Sequence, residues 1–188
     1  MKHILILFSL FVSGISVHSS AQGEKYGPWG GYQFRLGTAL YSPLNQYWMK
    51  DGSKGSQARS LSLTYDRSMA KNWSMNLTYY TSRVDVNMTG NGNNYTKSIL
   101  DMNFQVGVRY NYYLSEHVRC FGEMSGGLEY TRAHLADNKL VKLSYQPLHL
   151  AYQFGAGIER LIGRHFSVWG KAGYGTMGVI NGGVAFQW

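Results

Sequence analysis

From Leu100 to Tyr112 the chain alternates without a break. Leu100, Met102, Phe104, Val106, Val108, Tyr110 and Tyr112 are apolar, while Asp101, Asn103, Gln105, Gly107, Arg109 and Asn111 between them are small, polar or charged. A period of two places the two sets on opposite faces of an extended strand, whereas a helix would repeat its apolar residues every three to four positions. The same alternation recurs along the chain. It sets Tyr32, Phe34, Leu36 and Leu40 against Gln33, Arg35, Gly37 and Ala39. It sets Leu61, Leu63 and Tyr65 against Ser62, Thr64 and Asp66, and Trp73, Met75, Leu77 and Tyr79 against Ser74, Asn76, Thr78 and Tyr80. Further on, Val118, Cys120, Met124, Leu128 and Tyr130 oppose Arg119, Phe121, Glu123, Ser125, Gly127 and Glu129, with Gly122 and Gly126 read as noise in the parity. Three more strands follow from Leu148, from Phe166 and from Ile180, the last ending on Trp188, so the sequence predicts eight.

The start of the chain reads as an export signal. Lys2 and His3 form a polar opening, Ile4 to Ile15 is mostly apolar, and Ser19-Ser20-Ala21 supplies small residues for cleavage before Gln22. The apolar run is shorter than the ~20 residues that span hydrocarbon. The expected organisation is therefore a signal peptide over residues 1–21 and one barrel domain over 22–188. The single cysteine, Cys120, does not follow the cleavage site and has no partner for an internal disulfide. After the signal no stretch reaches the length of a transmembrane helix, and an exported membrane protein without such helices has to be a closed barrel, because hydrocarbon offers no partner for an unpaired backbone group.

Connection lengths support this independently. Short turns are predicted near Met69 to Asn72, Leu114 to Glu116 and Leu161 to Arg164, and long polar connections over Ser42 to Ala58, Arg83 to Lys97 and Arg132 to Gln146. Short turns at one end and long loops at the other mark outer-membrane barrels; the connection near Gly175 to Gly178 departs from the rule by being short. The fold class is thus all-β, a closed eight-stranded antiparallel up-and-down transmembrane β-barrel. Within it, the hairpin from Phe154-Gly155-Ala156-Gly157-Ile158-Glu159-Arg160 through Phe166-Ser167-Val168-Trp169-Gly170-Lys171-Ala172-Gly173-Tyr174-Gly175, the closing Gly182-Gly183-Val184-Ala185-Phe186-Gln187-Trp188, and Ala21-Gln22 at the cleavage site carry a resemblance. On these residues the chain resembles the small outer-membrane β-barrel family common in the Gram-negative Bacteroidota, distantly akin to the OmpA and OmpX types. The resemblance implies a fold and an outer-membrane location and carries no catalytic signature. It also implies that Val184, Phe186 and Trp188 form the C-terminal signal read by the barrel-insertion machinery.

The apolar face is expected to meet lipid. It would overfill the lumen of an eight-stranded barrel, which is only just wide enough for side chains to close it. Its aromatics, among them Tyr32, Trp73, Tyr110, Tyr130, Tyr174 and Trp188, suit interfacial girdles. The opposite face is expected to hold a lumen ion-pair network of Arg35, Asp66, Asp101, Arg109, Arg119, Glu123, Glu129, Glu159 and Lys171, because charges in a narrow interior are costly unless paired. Glu123 and Lys171 are expected at similar depth, flanking Gln153, with Arg109, Arg119, Glu159 and Asp66 gathered near the short-turn end.

Charge points outward as well. Of 18 Lys and Arg against 10 Asp and Glu, only Lys2 leaves with the signal, so the formal charge falls by one from +8 to +7. An exported chain without an aromatic RNA-binding motif or a basic helical stripe is not a nucleic-acid binder. Anionic outer-membrane lipid and lipopolysaccharide phosphates are the expected counter-charge, met by loop residues Lys50, Lys54, Arg59, Arg132, Lys139 and Lys142, where an unidentified protein partner is a further candidate. His117, His134 and His149 lack metal-ligand spacing, so neither metal nor cofactor is expected. Asn91-Gly92-Asn93-Asn94 reads as a loop tip. His165-Phe166-Ser167 superficially resembles the His-x-Ser of the lipid A deacylase family, but the Glu that family needs a dozen residues on is replaced by Val179. The expected function is a non-enzymatic structural or surface-binding barrel with a plugged lumen; the alternative is a narrow channel or a lipid-modifying barrel enzyme.

Overall fold

The computed structural model describes residues 29, 31–41, 59–90, 93–135 and 148–188. Eight strands make up almost all of this: β1 Tyr32–Tyr41, β2 Arg59–Ala70, β3 Trp73–Gly90, β4 Asn93–Leu114, β5 Val118–Leu135, β6 Leu148–Leu161, β7 Phe166–Gly175 and β8 Ile180–Gln187. Each pairs antiparallel with its neighbour in sequence, and β1 pairs with β8, closing the barrel. The closure runs from Gln33↔Gln187 to Gly37↔Gly183 and beyond, and is extended at the short-turn end by Tyr32 N donating to Trp188 O at 3.2 Å and Trp188 N to Tyr32 O at 3.1 Å. No edge is left among the eight strands, as a barrel requires.

The alternation sorts side chains as its period dictates. Leu36, Val106, Met124, Leu150, Phe154 and Val184 point outward and are exposed, Leu150 to 80%, while Arg35, Asn103, Gln105, Arg109 and Glu159 point inward and are almost completely buried. Gly122 and Gly126 simply share the outward parity of Met124, so β5 has none of the irregularity ascribed to them. The true irregularity is a bulge in β4, where the register passes from Asn111↔Phe121 to Tyr113↔Cys120 and leaves both Tyr112 and Tyr113 exposed.

Two connections differ from expectation. β3 and β4 pair out to Gly90↔Asn93, so most of Arg83 to Lys97 is a projecting hairpin and not a loop, and Asn93 and Asn94 are strand residues. β5 likewise runs to Leu135, so Arg132 lies on a strand. Both extensions follow from backbone pairing, which needs no apolar face once a neighbouring strand is available.

The short β7–β8 turn bends inward. Met177 is buried, its backbone N donates to Gln153 Oε1 at 3.1 Å, and Gln153 Nε2 donates to Gly178 O at 3.1 Å. Gln105 Nε2 donates to Thr176 Oγ1 at 2.8 Å, and Asn181 Nδ2 to Gly178 O at 3.2 Å. The turn depends on Gly178, whose φ of 94° is a conformation that L side chains rarely adopt.

Candidate functional site: the charged lumen

Seven buried charged side chains meet inside the barrel, drawn from six of its strands. Glu123 on β5 is the hub. Its Oε2 accepts from Arg35 Nη2 at 2.8 Å and from Arg109 Nη2 at 2.9 Å, and its Oε1 accepts from Lys171 Nζ at 2.7 Å. Arg35 also donates through Nε to Asp66 Oδ2 at 2.6 Å, and Arg109 Nη2 lies 3.5 Å from the same oxygen. One layer nearer the short turns, Arg119 Nη2 pairs with Glu159 Oε2 at 2.6 Å, and Arg109 Nη1 stands 3.8 Å from that oxygen, linking the two groups. Gln33 and Ser167 donate to the other oxygen of Glu159, and Arg119 donates to Gln33 Oε1.

Arginine suits this place because its planar fork serves two acceptors at once and its faces stack on rings. Arg109 lies 4.2 Å from the centre of the Phe121 ring, Arg35 lies 5.3 Å from that of Trp169, and Arg119 lies 4.6 Å from that of Trp29. Trp29 is fixed in turn by its indole N–H, which donates to Ser115 O at 2.5 Å. Room for the lumen rings comes from glycines facing inward: a Cβ on Gly157 would sit 2.6 Å from Phe121 Cζ, and one on Gly37 would collide with the Trp169 ring.

Of the nine residues read as a lumen network, the structure joins seven. Asp101 and Glu129 also point inward and are buried, but no ion pair among the described residues ties them to the seven. They lie further toward the loop end, where Asp101 accepts from Ser82 and Thr131 and Glu129 stands opposite His149. Gln153 is not the residue between Glu123 and Lys171. That gap is spanned by Gly155, opposite Glu123, and Gly157, opposite Lys171, while Gln153 serves the β7–β8 turn. Sequence reasoning passed over Gln33, Ser167, Phe121, Trp169 and Trp29. Parity places Gln33 and Phe121 inward, and that is the available signal.

The other candidate residues stand apart from this site. Lys50, Lys54, Lys139, Lys142 and the segment 1–21 read as a signal lie outside the described residues, as does the side chain of Arg59; Arg132 is exposed near the loop end of β5. His165 Nδ1 lies 3.0 Å from Gln187 O at the barrel surface, while Ser167 donates to Glu159 in the lumen, so the two have separate partners. Val184, Phe186 and Trp188 line the outside of β8, with the Trp188 ring 5.8 Å from Phe186, 5.4 Å from Phe34 and 6.0 Å from Tyr32.

No family model matches the sequence, and no curated protein matches it. Among solved structures, the outer membrane protein OprG from Pseudomonas aeruginosa superposes with a TM-score of 0.52 at 13% identity, covering 87% of this chain and 98% of its own. The Yersinia pestis outer membrane protein Ail, in a phospholipid bilayer nanodisc, superposes with a TM-score of 0.50 at 14% identity, covering 85% of this chain and 99% of its own. At such identity the likeness establishes the barrel fold.

Proposed function

We propose that this chain is an exported outer-membrane barrel of the small Bacteroidota type, made with residues 1–21 as a cleaved signal, whose lumen is a structural plug and whose work is non-enzymatic and done at its surfaces. The observation that carries the reading is the Glu123 hub. Three cations from β1, β4 and β7 converge on one carboxylate across the inside of the barrel, which immobilises the interior where a channel would need a hydrated path. The exterior supports a lipid setting, since so broad an exposed apolar band is an aggregation hazard in water and ordinary in hydrocarbon. The two outer-membrane proteins that share the fold support the location.

In this reading Val184, Phe186 and Trp188 are presented to the insertion machinery, and the basic residues Lys50, Lys54, Arg59, Arg132, Lys139 and Lys142 meet lipopolysaccharide phosphates at the loop end. Planar-bilayer recording tests the plug. The purified barrel is expected to give no steady single-channel current, and Glu123→Ala is expected to admit intermittent current. Steady wild-type conductance whose ion selectivity changes in Glu123→Gln would replace the plug with a narrow channel. Folding in buffer without detergent, with no heat-dependent gel shift, would remove the membrane location.

A further inference from the structure

The end of the barrel that carries the short turns is basic on its outside. A recess of about 780 Å³ lies there between the β4–β5 and β6–β7 turns, lined by His117, Arg160 and Arg164 together with Leu161, Ile162 and Val168. Backbone bonds hold its frame: Leu161 N donates to His117 O at 2.8 Å, and Ile162 N donates to Phe166 O at 2.8 Å. Arg160 takes an outward position on β6, opposite Val118 and Val168. Neither Arg160 nor Arg164 has an ion-pair partner among the described residues, and the acidic residue of these two turns is the exposed Glu116.

Directly above the recess the apolar wall is notched. The next outward residue after Val168 is Gly170, which pairs with Ile158 on one side and Gly182 on the other. A Cβ added at Gly170 would meet nothing nearer than 4.0 Å, so two paired glycines leave a furrow between Ile158, Val168 and Val184. Cations grouped at the lower margin of an apolar wall, with a furrow rising from them, match one chemistry. That chemistry is a phosphate diester joined to acyl chains.

We infer that this recess binds a glycerophospholipid of the leaflet facing the short turns. Arg160, Arg164 and His117 hold its headgroup phosphate, and one acyl chain lies in the Gly170–Gly182 furrow. The inference rests on the membrane reading above. It names a site that lipid contact in general does not require, because an apolar band alone would leave the cations and the furrow unrelated.

The test is native mass spectrometry of the full mature barrel released from vesicles of phosphatidylglycerol and phosphatidylcholine. Wild-type protein is expected to keep one phosphatidylglycerol. The double variant Arg160→Gln/Arg164→Gln is expected to lose retention about tenfold. Gly170→Leu is expected to lose it as well with every charge intact, whereas Arg67→Gln/Lys71→Gln, elsewhere on the same rim, is expected to keep it. Equal retention by wild type and the Arg160/Arg164 variant, or no lipid retained by wild type, would overturn the site. The heat-dependent gel shift is followed on every sample. If wild-type protein itself shows none, the membrane reading fails and the site with it; if all variants show it and retention is unchanged, the site alone fails.

Discussion

Lys171 on β7 reaches past β6 to donate a 2.7 Å hydrogen bond to Glu123 on β5, and the strand it crosses presents only Gly155 and Gly157 at that level. Two strands apart, these residues touch because the glycines between them leave the lumen open at that depth. The contact joins the β6–β8 side of the barrel to a carboxylate already holding Arg35 and Arg109.

Removing the hub is expected to be more damaging than removing any one spoke. Glu123→Ala strands three buried cations and should destabilise the barrel by about 3–5 kcal/mol, the usual scale for breaking a buried ion cluster from one side. Lys171→Met leaves Glu123 two arginines and should cause a smaller loss. Urea unfolding of both single variants and the double variant in detergent micelles checks this through the coupling energy, expected at about 1–3 kcal/mol. A coupling near zero would mean that the contact holds nothing together.

Gly157 tests the packing of the lumen separately from its charge. Its added methyl would meet Phe121 Cζ at 2.6 Å and Gly170 O at 2.5 Å, and neither a buried ring nor a ladder carbonyl can yield easily. Gly157→Ala is therefore expected to lower stability by about 1–3 kcal/mol, the usual scale of overpacking. Gly122→Ala, facing outward with nothing within 4 Å, should be close to neutral in the same assay.

Trp188 closes the barrel in two ways that can be separated. Its backbone exchanges two hydrogen bonds with Tyr32, and its ring stacks on Phe34 and lies tilted beside Phe186. Trp188→Ala keeps the first and loses the second; deletion of residue 188 loses both. Refolding into lipid vesicles, followed by the gel shift, should be slower for the alanine variant and poorer still for the deletion. Equal behaviour would assign the whole effect to the ring.

Outside the lumen the same chemistry should count for little. The Arg83–Asp85 pair on β3, at 3.1 Å, has side chains 62% and 37% exposed. Asp85→Asn is expected to change stability by under about 1 kcal/mol and to do so less in high salt, since exposed pairs are screened. A loss comparable to that of Glu123→Ala would show that the projecting β3–β4 hairpin is stiffer than its exposure implies.

Much of this arrangement was legible beforehand. The parity of Leu100 to Tyr112 assigned Arg109 to the inside and Val108 to the outside, because side-chain direction in a strand is a local property of period two. Short turns flanking Leu114 to Glu116 and Leu161 to Arg164 fixed which strand ends lie together. Asp101 and Glu129 show where this stopped. They have the same parity as Arg109 and Glu123 and lie on the same strands, yet they sit further toward the loops, out of reach of the arginines. Eight positions separate Asp101 from Arg109 and six separate Glu129 from Glu123, roughly 20–26 Å of strand, a distance that parity alone does not weigh.

The sequence by itself therefore determined the number of strands, the face most side chains take away from the β4 bulge and the β3–β4 hairpin, the end where the turns are short and the residue on which the barrel closes. All of these follow from spacing along one strand or between two neighbours. Only the tertiary structure decided that Glu123 would gather Arg35, Arg109 and Lys171, that Phe121 and Trp169 would lie against the guanidinium groups, and that the β7–β8 turn would fold inward onto Gln105 and Gln153. The contacts with Arg35, Lys171, Trp169 and Gln105 join strands that are not neighbours, while Arg109 stands directly opposite Glu123 on the adjacent β4. The closure and stagger of all eight strands set their distances, and closure is a property of the ring as a whole.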